Sequence, residues 1–177
     1  MLRQRLFLAV LAMWALGPGQ ALAQSKPGQK NQTPPAMNIG QTVIKMRIAD
    51  NVSLDDAVES MKLRGNALNI KLVAELPLSR QVEAMTGKPV RRMEIFQFCD
   101  ALTAKQMVDF NIDFAAYLPC RIALVEDDRQ PGRGWLVMMD LNLLINAANL
   151  SPEMKAKAIE VRDTLESIMK AGANGEL

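Results

Sequence analysis

The chain has 177 residues, 21 of them Lys or Arg and 19 Asp or Glu, and it contains no histidine. The missing imidazole excludes Ser-His-Asp catalysis, histidine-bearing zinc sites and histidine-ligated haem. A formal net charge of +2 leaves no basic footprint for nucleic acid, since Arg91-Arg92 and the pair Lys155 and Lys157 are short, solvated doublets.

Arg3 and Arg5 precede an apolar run over 6–16, Gly17-Pro18-Gly19 breaks it, and Ala21-Leu22-Ala23 supplies a small-x-small exit. This order reads as a secretory signal peptide over 1–23, cut after Ala23, with the mature protein periplasmic or secreted. The apolar run is shorter than the ~20 residues a membrane span needs. No later segment is long and apolar enough, so no integral span is expected after cleavage. Cleavage removes two of the 21 basic residues and none of the acidic ones, which brings the net charge to zero. The remainder fits one domain with a substantial core.

Residues 24–40 are rich in Gln, Lys, Pro, Gly and Asn, with too little apolar content to offset the entropy of ordering them, and read as a flexible leader. Val43, Ile44 and Met46 mark a first strand over 42–48. Ser53 is placed to cap a helix with Asp55 and Asp56 in its first turn, and Gly65-Asn66 is expected to stop it. A strand over 70–76, a short helix over 79–86 and a buried strand over 92–99 follow, after which Asp100 opens a helix carrying Leu102, Met107, Val108 and Phe110. An irregular return over 111–119 leads to a strand over 120–126. A polar turn with Pro131, Gly132 and Gly134 then brings the chain back along 135–139 as a hairpin. Ser151 and Pro152 begin an amphipathic C-terminal helix over 151–172 with Gly172 as its expected stop, and its apolar stripe Met154, Ala158, Val161, Leu165 and Ile168 is expected to pack on its own domain, with a partner as the alternative. The sum is an α+β domain over 41–147: about five strands in a mainly antiparallel sheet packed against helices, with the C-terminal helix added.

Three stretches carry a resemblance: MEIFQFCD over 93–100, LPCRIALVED over 118–127 and WLVMMD over 135–140. They are similar to the domain-of-unknown-function 302 family over roughly 43–140. Leu118-Pro119 and Glu126-Asp127 agree with the family pattern, whereas Phe98-Cys99-Asp100-Ala101 departs from its more usual Phe-Gly-Asn-Pro form. The resemblance implies a compact α+β domain capable of self-association as a homo-oligomer. It implies no biochemical role, and it leaves the C-terminal helix outside the matched stretch.

The chemistry left open is narrow. Gly132-Arg133-Gly134 sits in a hairpin turn and is no phosphate loop, and Glu126, Asp127 and Asp128 form an acidic run of the kind that solvates a strand end. No catalytic residue and no cofactor are assigned. Cys99 and Cys120 are the one constellation that carries chemistry, with Phe98, Asp100, Pro119 and Arg121 as its neighbours. In an exporting compartment a pair of cysteines reads first as a disulfide, closing a loop of about 20 residues and stabilising the fold by roughly 3 kcal/mol. That bridge requires the two strands to be antiparallel neighbours. A second reading makes the thiols a redox or sulfur-handling pair, because Cys99 precedes a helix start where amides and dipole favour a thiolate. A third joins Cys99 and Cys120 with Met93 and Met107 as soft ligands for Cu(I). The primary reading is an exported, non-catalytic binding or accessory module.

Overall fold

A computed structural model describes residues 38–176, so the expected signal peptide over 1–23 and most of the expected leader over 24–40 lie outside the described residues. Residues 39–41 form a 3-10 turn, Ile39–Gln41, in which the Gly40 amide donates to the Asn38 side-chain oxygen. From there the chain runs β1 (Val43–Arg47), α1 (Leu54–Ala67), β2 (Lys71–Leu76), α2 (Leu78–Thr86) and β3 (Met93–Cys99). It continues as α3 (Ala101–Phe110), a 3-10 segment (Ile112–Tyr117), β4 (Cys120–Glu126), β5 (Gly134–Met139), α4 (Leu141–Ala147) and α5 (Pro152–Asn174). The strands form one fully antiparallel sheet in the order β1-β5-β4-β3-β2.

Strand side chains alternate between faces. Phe96 and Phe98 of β3, Ile122 and Leu124 of β4, and Leu136 and Met138 of β5 therefore share one face, and all are buried. Helices α1 and α5 cover that face with Ala57, Val58 and Met61 from one and Leu165, Ile168, Met169 and Ala173 from the other. The C-terminal helix thus packs on its own domain and completes the main core. The opposite face carries Ile95, Ala123, Val125, Trp135 and Val137, each half-buried.

Local chemistry sets the helix ends. Ser53 caps α1 through the Asp56 amide, Asp100 caps α3 through the amides of Leu102 and Thr103, and Ser151 caps α5 with Pro152 in its first turn. Neither glycine expected to stop a helix does so. Helix α1 runs through Gly65 to Ala67, and α5 runs through Gly172 to Asn174 before Gly175, at φ 66°, ends it in the left-handed region. At both interior glycines the missing side chain admits a neighbour: a Cβ at Gly65 would lie 3.0 Å from the Phe98 ring, and one at Gly172 would lie 2.5 Å from Met61 Cγ.

Candidate functional site

A second, smaller hydrophobic cluster stands beyond the β3/β4 end of the sheet. It is built from Met107 of α3, Ile145 of α4, and Met154 and Ala158 of α5, with Phe114, Leu141 and Leu150 packed against it. Between this cluster and the main core lies a cavity of about 70 Å³. Phe98, Ile70 and Leu165 line it from the core side, and Ala104, Met107, Ile145 and Ala158 from the other. Its polar contributors are few: the two thiols, Asp100, Thr103 and Tyr117. The spacing of Thr103, Ala104 and Met107 along α3 explains why one helix face supplies three of the lining residues.

Two of the lining elements escaped the sequence reading. Helix α4 has no assignment there, although Asp140 caps it by accepting from the Asn142 amide at 2.9 Å. The 3-10 segment that contributes Phe114 and Tyr117 lies where the sequence pattern predicts an irregular return. An Asp followed by the run Leu141, Leu143, Leu144 and Ile145 was the available signal for α4.

Cys99 and Cys120 are brought to the same cavity, and both are free thiols, so the expected disulfide is not formed. The strands are antiparallel neighbours as the bridge requires, yet the register is offset by one. Cys120 pairs with Phe98, while Cys99 pairs with Lys71 on the other side of β3. Consecutive strand residues point to opposite faces, so the two thiols leave the sheet in opposite senses and reach the cavity from different sides of its end.

Neither thiol is activated. Burial pushes Cys120 up to about 11, and the nearby Cys99 adds to this while Arg121 opposes it. Burial also raises Cys99, assisted by the adjacent Asp100 carboxylate. The helix-start effect expected to favour a Cys99 thiolate is taken up by Asp100, whose oxygens accept from the Leu102 and Thr103 amides and from the Thr103 hydroxyl at 2.5 Å. Those bonds, the Thr103 hydroxyl first, hold the Asp100 carboxyl below the usual carboxylate range.

The remaining candidates separate. Phe98 and Asp100 line the cavity, whereas Pro119, which follows Leu118 through a cis peptide, and Arg121, exposed and paired with Gln97, do not. Met107 lines the cavity but sits roughly 9 Å along α3 from Ala101. Met93 begins β3 opposite Val125, at the far end of the strand from Cys99. Among the described residues no three His, Cys, Asp or Glu side chains cluster as metal ligands. The acidic run also has a structural occupation: Glu126 accepts from the amides of Arg92 at 2.8 Å and Gly132 at 2.7 Å, which hold its carboxyl below the usual range.

The fold and the family now converge. The crystal structure of an uncharacterised conserved DUF302 protein from Bacillus stearothermophilus superposes with a TM-score of 0.62 at 13% identity, covering 73% of this chain and 97% of that one. No curated protein matches the chain. The family model described as "Domain of unknown function DUF302" matches residues 44–172, which extends beyond 140 and takes in α4 and most of α5. Matched over most of its length, the chain belongs to the DUF302 family.

Proposed function

We propose that this chain is an exported, non-catalytic binding module whose site is the cavity between the two hydrophobic clusters, and whose ligand is small and predominantly apolar. The cavity carries the reading: its walls come from six elements, and they are almost wholly apolar with a few polar groups at the margin, the composition of small-molecule pockets. Its only lining carboxylate, Asp100, is engaged in capping α3. Export rests on Arg3, Arg5, the apolar run and the Ala21-Leu22-Ala23 exit. Among the described residues no helix is long and apolar enough to cross a membrane.

A thiol redox role draws less support, because burial disfavours the thiolate at both cysteines. The test uses a neutral fluorescent probe, N-phenyl-1-naphthylamine, with the purified full chain. The expected result is saturable binding with enhanced emission, abolished in Ala104→Phe and Ala158→Phe, each of which fills the cavity from a different helix. Unchanged probe binding in both folded variants would sink the reading.

A further inference from the structure

The cavity does not end at its apolar wall. Phe114, Tyr117, Leu144 and Leu150 line it and also line a second, wider cleft of about 340 Å³. Four shared side chains place the two spaces side by side, the cavity within and the cleft outside. The outer part is different in character: Asn111, Asp113 and Asn149 enter its lining, and no Lys or Arg does. Asn111 spends its side-chain oxygen on the Asp113 amide. The Asp113 carboxylate has neither an ion-pair partner nor a hydrogen-bond donor among the described residues, and it is exposed to the cleft's solvent.

An apolar inner chamber beside an outer cleft that offers acceptors and one negative charge suits a two-part ligand. Resting on the cavity reading above, we infer that the ligand is a single-chain amphiphile, its hydrocarbon tail in the inner chamber and a hydrogen-bond-donating head, amine or hydroxyl, in the cleft beside Asp113. An anionic head is disfavoured there, because it would meet a carboxylate with no cation in the lining to offset it. The wall between cavity and solvent is a single layer, α3 with the 3-10 segment, whose outer side shows Leu102 and Ile112 at 75% and 76% exposure. Both side chains stand open to solvent rather than under another part of the described residues.

The test displaces N-phenyl-1-naphthylamine from the full chain with decylamine, decanol and decanoate below their micellar concentrations. Decylamine is expected to displace most tightly, decanol next and decanoate least, with the amine about three- to fivefold ahead of the alcohol, the scale of an exposed ion pair. Asp113→Asn should erase the amine's lead and leave decanol unchanged, and added salt should shrink the same lead in the unsubstituted chain. Equal displacement by all three compounds, or a preference for decanoate, overturns the head-group assignment while the cavity reading stands. Absence of any probe binding removes both. Asp113 is exposed and its side chain holds no other residue, so the variant keeps its fold, and retained decanol binding verifies that directly.

Discussion

Cys120 faces Phe98 across the β3/β4 ladder, and this single register keeps the two cysteines from bonding. A slip of one residue would bring Cys99 opposite Cys120, but it would also turn the buried Phe96 and Phe98 to the other face. The core thus dictates the state of the thiols. Denatured in the absence of reductant, the purified chain should give two reactive thiols per molecule. In the native state at neutral pH Cys99 should react first and Cys120 slowly, since a thiol at about 11 is almost wholly protonated there. Finding no thiol until reductant is added would show that the register described above is not the one the protein adopts.

The buried Cys120 also sets an alkaline limit. Its proton is held in the folded state up to about 11, from an ordinary value of 9.0, so the unfolded chain loses that proton first as pH rises. The stabilisation is therefore fully present below pH 9 and is lost between about pH 9 and 11, an effect on the order of 2–3 kcal/mol. Urea denaturation across that range, compared between the natural chain and Cys120→Ala, isolates it from the lysines and tyrosine that titrate alongside. Parallel pH profiles for the two proteins would refute it.

Most of the architecture was legible because periodicity and caps agreed: the caps Ser53, Asp100 and Ser151 all sit where the residue pattern places them, and β4 spans the expected 120–126. Gly65 and Gly172 misled because a glycine signals both a helix stop and a close approach, and only packing distinguishes the two. The strand positions bring the thiols to one end of the sheet only if β3 and β4 are antiparallel neighbours, which the sequence leaves open, and their pairing depends further on a one-residue register that no local pattern encodes. The cavity itself was illegible. It arises where α3, α4 and α5 converge beyond the sheet, and such convergence is a property of tertiary packing.

At Gly172 α5 lies directly against α1 and β5. A methyl there would sit 2.5 Å from Met61 Cγ, 2.9 Å from Leu136 Cδ1 and 3.0 Å from the Ala57 carbonyl. In an exposed helix Gly→Ala gains about 1 kcal/mol from backbone entropy. Here overpacking by about 1–3 kcal/mol opposes that gain, and because one of the clashing atoms is backbone the clash wins. Gly172→Ala should lower the thermal midpoint, whereas the same change at the exposed Gly40 should leave it nearly unmoved. A raised midpoint for Gly172→Ala would mean that the α1/α5 contact is looser than described.

Ser60 presents the opposite case. It is fully buried on α1 and its hydroxyl finds no hydrogen-bond partner among the described residues. A buried hydroxyl without a partner costs about 1–3 kcal/mol, and alanine removes it with little change in volume while improving helix propensity. Ser60→Ala should therefore stabilise the domain by about 1 kcal/mol in chemical denaturation, and a destabilised variant would reveal a bond that Ser60 makes in solution.

Asp100 links the end of β3 to the cavity through two separable effects. Its oxygens cap α3, and its charge adds to the burial that keeps the Cys99 thiol protonated. Asp100→Ala removes both and should cost about 1 kcal/mol, the usual worth of an N-cap. Asp100→Asn retains a capping oxygen and discards only the charge, so its stability should stay close to that of the natural chain while Cys99 alkylates faster at a given pH. The capping term also has a pH signature. The Asp100 carboxyl is held below its unfolded value, so its contribution is complete above about pH 4 and is lost as pH falls through the folded value. Acid titration of stability should accordingly be shallower in Asp100→Asn. If both variants keep the stability of the natural chain and leave Cys99 reactivity unchanged, Asp100 acts neither as cap nor as charge, and the α3 wall of the cavity is held by its apolar contacts alone.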